Sequence, residues 1–103
     1  MNTITITSVS VRPSTDVVWF FEHEISAGNS FYQNYIKETL IDANLLKQSR
    51  SYSDNGLVMT TVNELTDEGF NIWFNDPVII TARDEMLVYN TQNNIILNSI
   101  EIT

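Results

Sequence analysis

The dipeptide Asn55-Gly56, led by Asp54, stands between two strand-like runs, Gln48 to Ser53 and Leu57 to Leu65. Both residues tolerate the positive φ that a type I′ turn requires, and no other short sequence signals a β-hairpin as strongly. The middle of the chain is therefore expected to be an antiparallel strand pair. Two strands alone are marginal in water, so the flanking segments must supply more sheet or a covering layer.

They read as both. Residues 3–11 alternate, with Ile4 and Ile6 opposing Thr3, Thr5 and Thr7, which is the period of a β-strand. The parity then changes at Val9 and Val11, which predicts either a bulge near Ser8 or a strand covered on both faces. Arg12-Pro13 ends the strand, because proline cannot donate to a central ladder. Ser14-Thr15-Asp16 reads as the cap of a short turn through Val17 to Phe21, and Ser26 to Ser30 as a loop ending in a helix N-cap. Tyr32, Tyr35, Ile36, Leu40 and Ala43 then recur at helical spacing, predicting an amphipathic helix over 30–44.

Beyond the hairpin, Thr66-Asp67-Glu68 caps a second helix that carries Phe70, Trp73 and Phe74. Asp76-Pro77 interrupts it and restarts it, with Asp at N-cap and Pro at N1, and Ile79, Ala82, Met86 and Tyr89 form the inward stripe. Gln92 to Asn94 is a loop, and 95–102 a last strand. The succession β-α-β-β-α-β with a hairpin at its centre is the ferredoxin-like pattern: an α+β fold, a four-stranded antiparallel sheet with helices on one face. No repeat or linker divides the chain, so 1–103 reads as a single domain.

If helices cover one face, the other should be polar. Period two instead places Val58 and Val62 opposite Leu57, Met59 and Leu65, and Ile96, Ile100 and Ile102 opposite Ile95 and Leu97. Two apolar faces predict a homodimer paired through the sheet; the other solution is a sandwich closed by residues 14–30.

The element order, the two-sided sheet and the aromatic-rich second helix broken at Phe74-Asn75-Asp76-Pro77 resemble the dimeric α+β barrel superfamily, of which antibiotic-biosynthesis-type monooxygenases are the best-known members. Arg12-Pro13-Ser14-Thr15-Asp16-Val17 and Asp76-Pro77-Val78 are similar to stretches of small uncharacterised marine metagenome and phage proteins. The resemblance implies two sheets packed face to face and a small-molecule cavity between each sheet and its helices. It implies fold and assembly more than chemistry, since members include oxygenases, isomerases and proteins without known activity.

Several chemistries are disfavoured. Thirteen acidic residues against five Lys plus Arg give a net charge of −8, which opposes nucleic-acid binding. With no Cys there is no disulfide, thiolate nucleophile or cysteine zinc site. No signal segment or membrane span is read, which makes a soluble cytoplasmic protein the expectation. No phosphate loop, nucleophile elbow or metal motif occurs, and no cofactor is expected.

His23 is the only histidine, in Phe21-Glu22-His23-Glu24, and is the weak candidate for a general base. Trp19, Tyr35, Tyr52 and Trp73 are candidates to line a pocket for a small apolar ligand, although aromatics at helical spacing are more often core. The leading expectation is a small dimeric protein, without assigned chemistry, that holds such a ligand between sheet and helices. A cofactor-independent monooxygenase or isomerase acting on an aromatic compound, and a phage-related structural or interaction protein, are the alternatives.

Overall fold

The computed structural model describes residues 3–103. It is an α+β fold with four helices and a four-stranded antiparallel sheet. In chain order the elements are β1 (Ile4–Val11), α1 (Phe20–Ser26), α2 (Phe31–Ile36), β2 (Leu46–Ser53), β3 (Val58–Leu65), α3 (Asp67–Asn75), α4 (Pro77–Gln92) and β4 (Ile96–Ile102). The strands lie in the order β2-β3-β1-β4.

Residues directly opposite in an antiparallel ladder share a face, so the register assigns both sides of the sheet. Leu46 pairs with Leu65, Leu65 with Ile4, and Asn63 with Ile6. On this side Ile6, Leu46 and Leu65 join Leu40 and Ile79 in the core, with Tyr35, Phe70, Ile72 and Trp73 packed around them. The other side carries Lys47, Ser49 and Ser51 of β2, Val58, Thr60 and Val62 of β3, and Thr5, Thr7, Val9 and Val11 of β1. None of these is buried.

The hairpin is present but its turn is longer than expected. Ser53 pairs with Val58, so four residues connect the strands rather than two. Asn55 and Gly56 do take positive φ, 55° and 87°, and Asp54 joins them at 52°. Asp shares with Asn the short polar side chain that tolerates this region, which lets the left-handed run begin one residue earlier.

The helix expected over 30–44 is shorter. After α2 the chain widens into a π-helical turn over Lys37–Ile41, where the Asp42 N–H bonds the Lys37 carbonyl at 2.8 Å. Asn44, at φ 60°, ends it and Ala43 is exposed. Residues 17–21 are not a short turn: Trp19 is extended and α1 begins at Phe20. This segment packs on the helix side of the sheet, where Phe21 lies over Arg50, so it does not close the open face.

The last strand brings the largest correction. The register between β1 and β4 shifts between Val9 and Ser10: Val9 pairs with Ser99 and Ser10 with Leu97, leaving Asn98 outside the ladder. The bulge lies on β4, not near Ser8 of β1. One extra residue reverses the alternation, so Ile100 and Ile102 fall on the same side as Ile95 and Leu97. Only Ile96 of β4's aliphatics joins the open face.

The second helical stretch follows its capping residues. Thr66 Oγ1 accepts from the Gly69 N–H at 3.0 Å, and Asp76 Oδ1 accepts from the Val78 and Ile79 N–H groups at 2.9 and 3.4 Å. The first turn of α3 sits against the entry to β2, where the Thr66 N–H bonds the Leu45 carbonyl. A Cβ at position 69 would meet that same carbonyl oxygen, so the approach requires glycine.

Candidate functional site

On the helix side polar rows interrupt the apolar ones. Leu46, Leu65 and Ile4 give way to Gln48 and Asn63 beside Ile6, then to a row running Arg50, Thr61, Ser8, before Tyr52 and Met59 follow. Polar side chains under a helix layer require partners. Gln48 Nε2 donates to Asn63 Oδ1 at 2.8 Å, which pairs the amide of the buried Asn63.

Arg50 is held differently. Its guanidinium carbon stands 4.1 Å from the centre of the Phe21 ring, a cation–π stack of α1 on β2. Its Nε is buried and has no hydrogen-bond partner. Burial pushes the Arg50 guanidinium below its ordinary range, while Tyr52 and Glu22 oppose the shift. Neither closes a contact with it: Lys37–Asp42, at 2.9 Å, is the one ion pair among the described residues. A cation on a half-covered strand, held against an aromatic ring and without an ion-pair partner in contact, is the most unusual electrostatic feature of the fold.

The other arginine of this region is hydrogen-bonded to the backbone. Arg12 Nε donates to the Gly56 carbonyl and Nη1 to the Val17 carbonyl, both at 2.8 Å, and its guanidinium lies 4.9 Å from the Trp19 ring centre. Trp19 is 2 % exposed. Arg12 thus ties the hairpin turn to the start of α1, and Trp19 is the apolar seat of that clasp.

The remaining residues singled out from the sequence do not meet. His23 is exposed on α1, its ring 4.9 Å from Tyr89, whose hydroxyl donates to the Val18 carbonyl at 2.5 Å. Tyr35 donates to Asp76 Oδ2 at 2.6 Å and so joins α2 to the cap of α4. Trp73 packs against the core, and Tyr52 is 52 % exposed near the end of β2. Two shallow open grooves occur, of about 300 Å³ by Asp84, Val88 and Tyr89 and about 230 Å³ by Tyr32, Pro77 and Val78. None of the five sequence candidates lines either groove.

The side chains that do assemble are Arg50, Phe21, Gln48 and Asn63. A signal for three of them is visible in the sequence. Leu46, Gln48, Arg50 and Tyr52 share one parity, and the hairpin register sets Asn63 against Gln48, so an arginine had to lie on the covered face. Phe21 carries no such mark, because its contact with Arg50 spans 29 positions. Among the described residues no helix is long and apolar enough to cross a membrane, and no three His, Asp or Glu gather as metal ligands. Comparisons with family models, with curated proteins and with solved structures each found no match.

Proposed function

We propose that this chain is a self-pairing binding module of ferredoxin-like topology, in which a second copy lies on the sheet face that the helices leave open. The observation that carries the reading is the composition of that face. Val58, Val11 and Ile96 are neighbours across three strands, Val9 and Val62 extend the patch, and no element lies over any of them. Apolar side chains gathered on an uncovered sheet mark an interaction surface.

The size is right for a second copy. Four strands about 4.8 Å apart and eight residues long present roughly 500 Å² in flat projection, of the order of the accessible area, about 800 Å², that each partner gives to a standard interface. Of the charged residues of this face, Lys47 and Glu64 lie at the Thr5 end, while Glu101 stands in the row of Thr7 and Val62, so a twofold pairing centred on Val11, Val58 and Ile96 leaves all three towards the rim. The succession of elements and the strand order support a split β-α-β architecture, and the dimeric α+β barrels pair in the manner proposed.

Sedimentation velocity at tens of micromolar tests the reading. The wild-type chain should sediment as a dimer, and Val62→Glu should shift it toward monomer with little loss of fold. Met59 lies on the helix side, opposite Ser10 and Tyr52, so Met59→Glu should lower stability instead. A monomeric wild-type chain at those concentrations overturns the proposal.

A further inference from the structure

The Arg50 guanidinium is stacked, partly buried and without a counter-ion. Such an arrangement needs an explanation, since a buried donor left unmade costs more than a hydrogen bond returns. We propose that Arg50, on its Phe21 platform, is the recognition point for a small carboxylate carried on an apolar body. The inference does not depend on the pairing of the sheets, because Arg50 lies on the opposite side of β2 from the proposed interface.

The geometry selects the class of ligand. A guanidinium presents its N–H groups in a planar fork that matches the two oxygens of a carboxylate, and the Phe21 ring lies against it, 4.1 Å from its carbon. In the same row, Thr61 stands opposite Arg50, and Ser8 opposite Thr61, adding hydroxyl donors beside the charge. One row on, Tyr52 and Met59 offer an aromatic and a thioether surface for the rest of the molecule. A singly charged anion is favoured over a phosphate dianion, because one arginine faces it, Glu22 stands close enough to act on that arginine, and the chain carries −8.

Access is through α1. This helix has seven residues, none of them buried. Its aromatic contacts are Phe21 on Arg50 and Phe20 and His23 on Tyr89. A small shift of α1 that keeps Phe21 over the guanidinium opens the Nε edge of the fork, where a carboxylate makes two charge-assisted hydrogen bonds.

The probe is benzoate, with benzamide as its neutral isostere and inorganic phosphate as the other anion. The Arg50 Nε–H resonance in an NMR titration of the wild-type chain should move with benzoate, at least tenfold less readily with benzamide, and not with phosphate. Arg50→Lys, which keeps the charge and loses the fork, should weaken benzoate binding at least tenfold by calorimetry. If that variant does not fold, Phe21→Leu keeps the arginine and removes only its platform, and the same titration should show weakened binding. An unmoved Nε–H, equal binding of benzamide, tighter binding of phosphate, or benzoate affinity unchanged in the folded variant each overturns the proposal.

Discussion

The two edges of the sheet, β2 and β4, are both free on their outer side, yet they are built differently. Strand β2 begins with the buried Leu46 and continues Lys47, Gln48, Ser49, Arg50, Ser51, a run in which polar and charged residues protect the edge from further pairing. Strand β4 reads Ile96, Leu97, Asn98, Ser99, Ile100, Glu101, Ile102, and every residue of it is exposed. Ile96 is 64 % exposed and Ile100 56 %. The helix layer lies over the β2 side, through Leu40, Leu45 and Phe70, and does not reach the end of β4. One edge is finished by its own chain; the other has the composition of a strand that expects a neighbour, with one bulge and one glutamate to restrain it.

The largest effect that separates the two edges is a truncation on each. Leu46 is 4 % exposed, so Leu46→Ala should cost about 2–5 kcal/mol in urea unfolding, from lost transfer energy and a cavity in the core beside Leu40 and Leu65. Ile100→Ala should cost under about 1 kcal/mol in the isolated chain, because half of the side chain is already in water. If the two costs are equal, β4 is covered in solution by something the single chain does not contain. A protein-concentration dependence of the Ile100→Ala cost would identify the cover as a second copy.

The next effect lies in the helix layer that protects β2. Asp76 caps α4 and receives the Tyr35 hydroxyl, so it fastens α2 to α4 above the core. Asp76→Ala should cost about 1 kcal/mol and should raise amide exchange along β2 while leaving β4 unchanged. The same carboxylate carries a pH signature. The Tyr35 hydrogen bond, with those from the Val78 and Ile79 N–H groups, holds Asp76 below the usual carboxylate range despite partial burial. Its contribution is therefore present above about pH 4, the ordinary carboxylate value, and is lost as pH falls through the lowered folded value. Thermal unfolding of Asp76→Asn should show a shallower acid limb than the wild-type chain. An unaltered limb would assign the acid sensitivity to another group.

The contrast between the edges also marks where the sequence was legible. Some caps and turn residues, which act within four positions, are legible: Thr66 and Asp76 start their helices, Pro77 follows at the first turn, and Asn55 and Gly56 take positive φ. Ser30, expected as the N-cap of α2, makes no capping bond, and Asn29 accepts from the Phe31 N–H instead. Strand parity was legible only while the alternation ran unbroken. On β2 and β3 it did, and the hairpin register alone places Gln48 and Asn63 together. On β4 the bulge at Asn98 reverses the parity, and nothing in Leu97-Asn98-Ser99 announces it, because a bulge is chosen by the fit to β1. The candidate site was least legible. Trp19 and Tyr35 are used up by Arg12 and Asp76, and Arg50 depends on Phe21, contacts that only the tertiary fold brings about.

The smallest expected effect on folding is also the sharpest test of the comparison. A lysine placed on an edge strand opposes edge-to-edge and face-to-face association while leaving the chain's own ladder intact. Ile96→Lys changes the open face of β4, and Ser49→Lys changes the same face of β2; both positions are exposed. Each should alter unfolding free energy by no more than about 0.5 kcal/mol, as surface substitutions do. Their effect on association should differ. Ile96 adjoins Val11 and, through it, Val58, so Ile96→Lys puts a charge into the aliphatic patch and should reduce self-association in light scattering. Ser49 pairs with Val62 at the margin of the patch, between Lys47 and Ser51 on its own strand, so Ser49→Lys should reduce association less than Ile96→Lys does. Equal loss in both variants would mean that the whole face pairs uniformly and that β4 has no special part in it. Equal retention would move the contact to the helix side of β4, where Leu97, Ile100 and Ile102 lie bare.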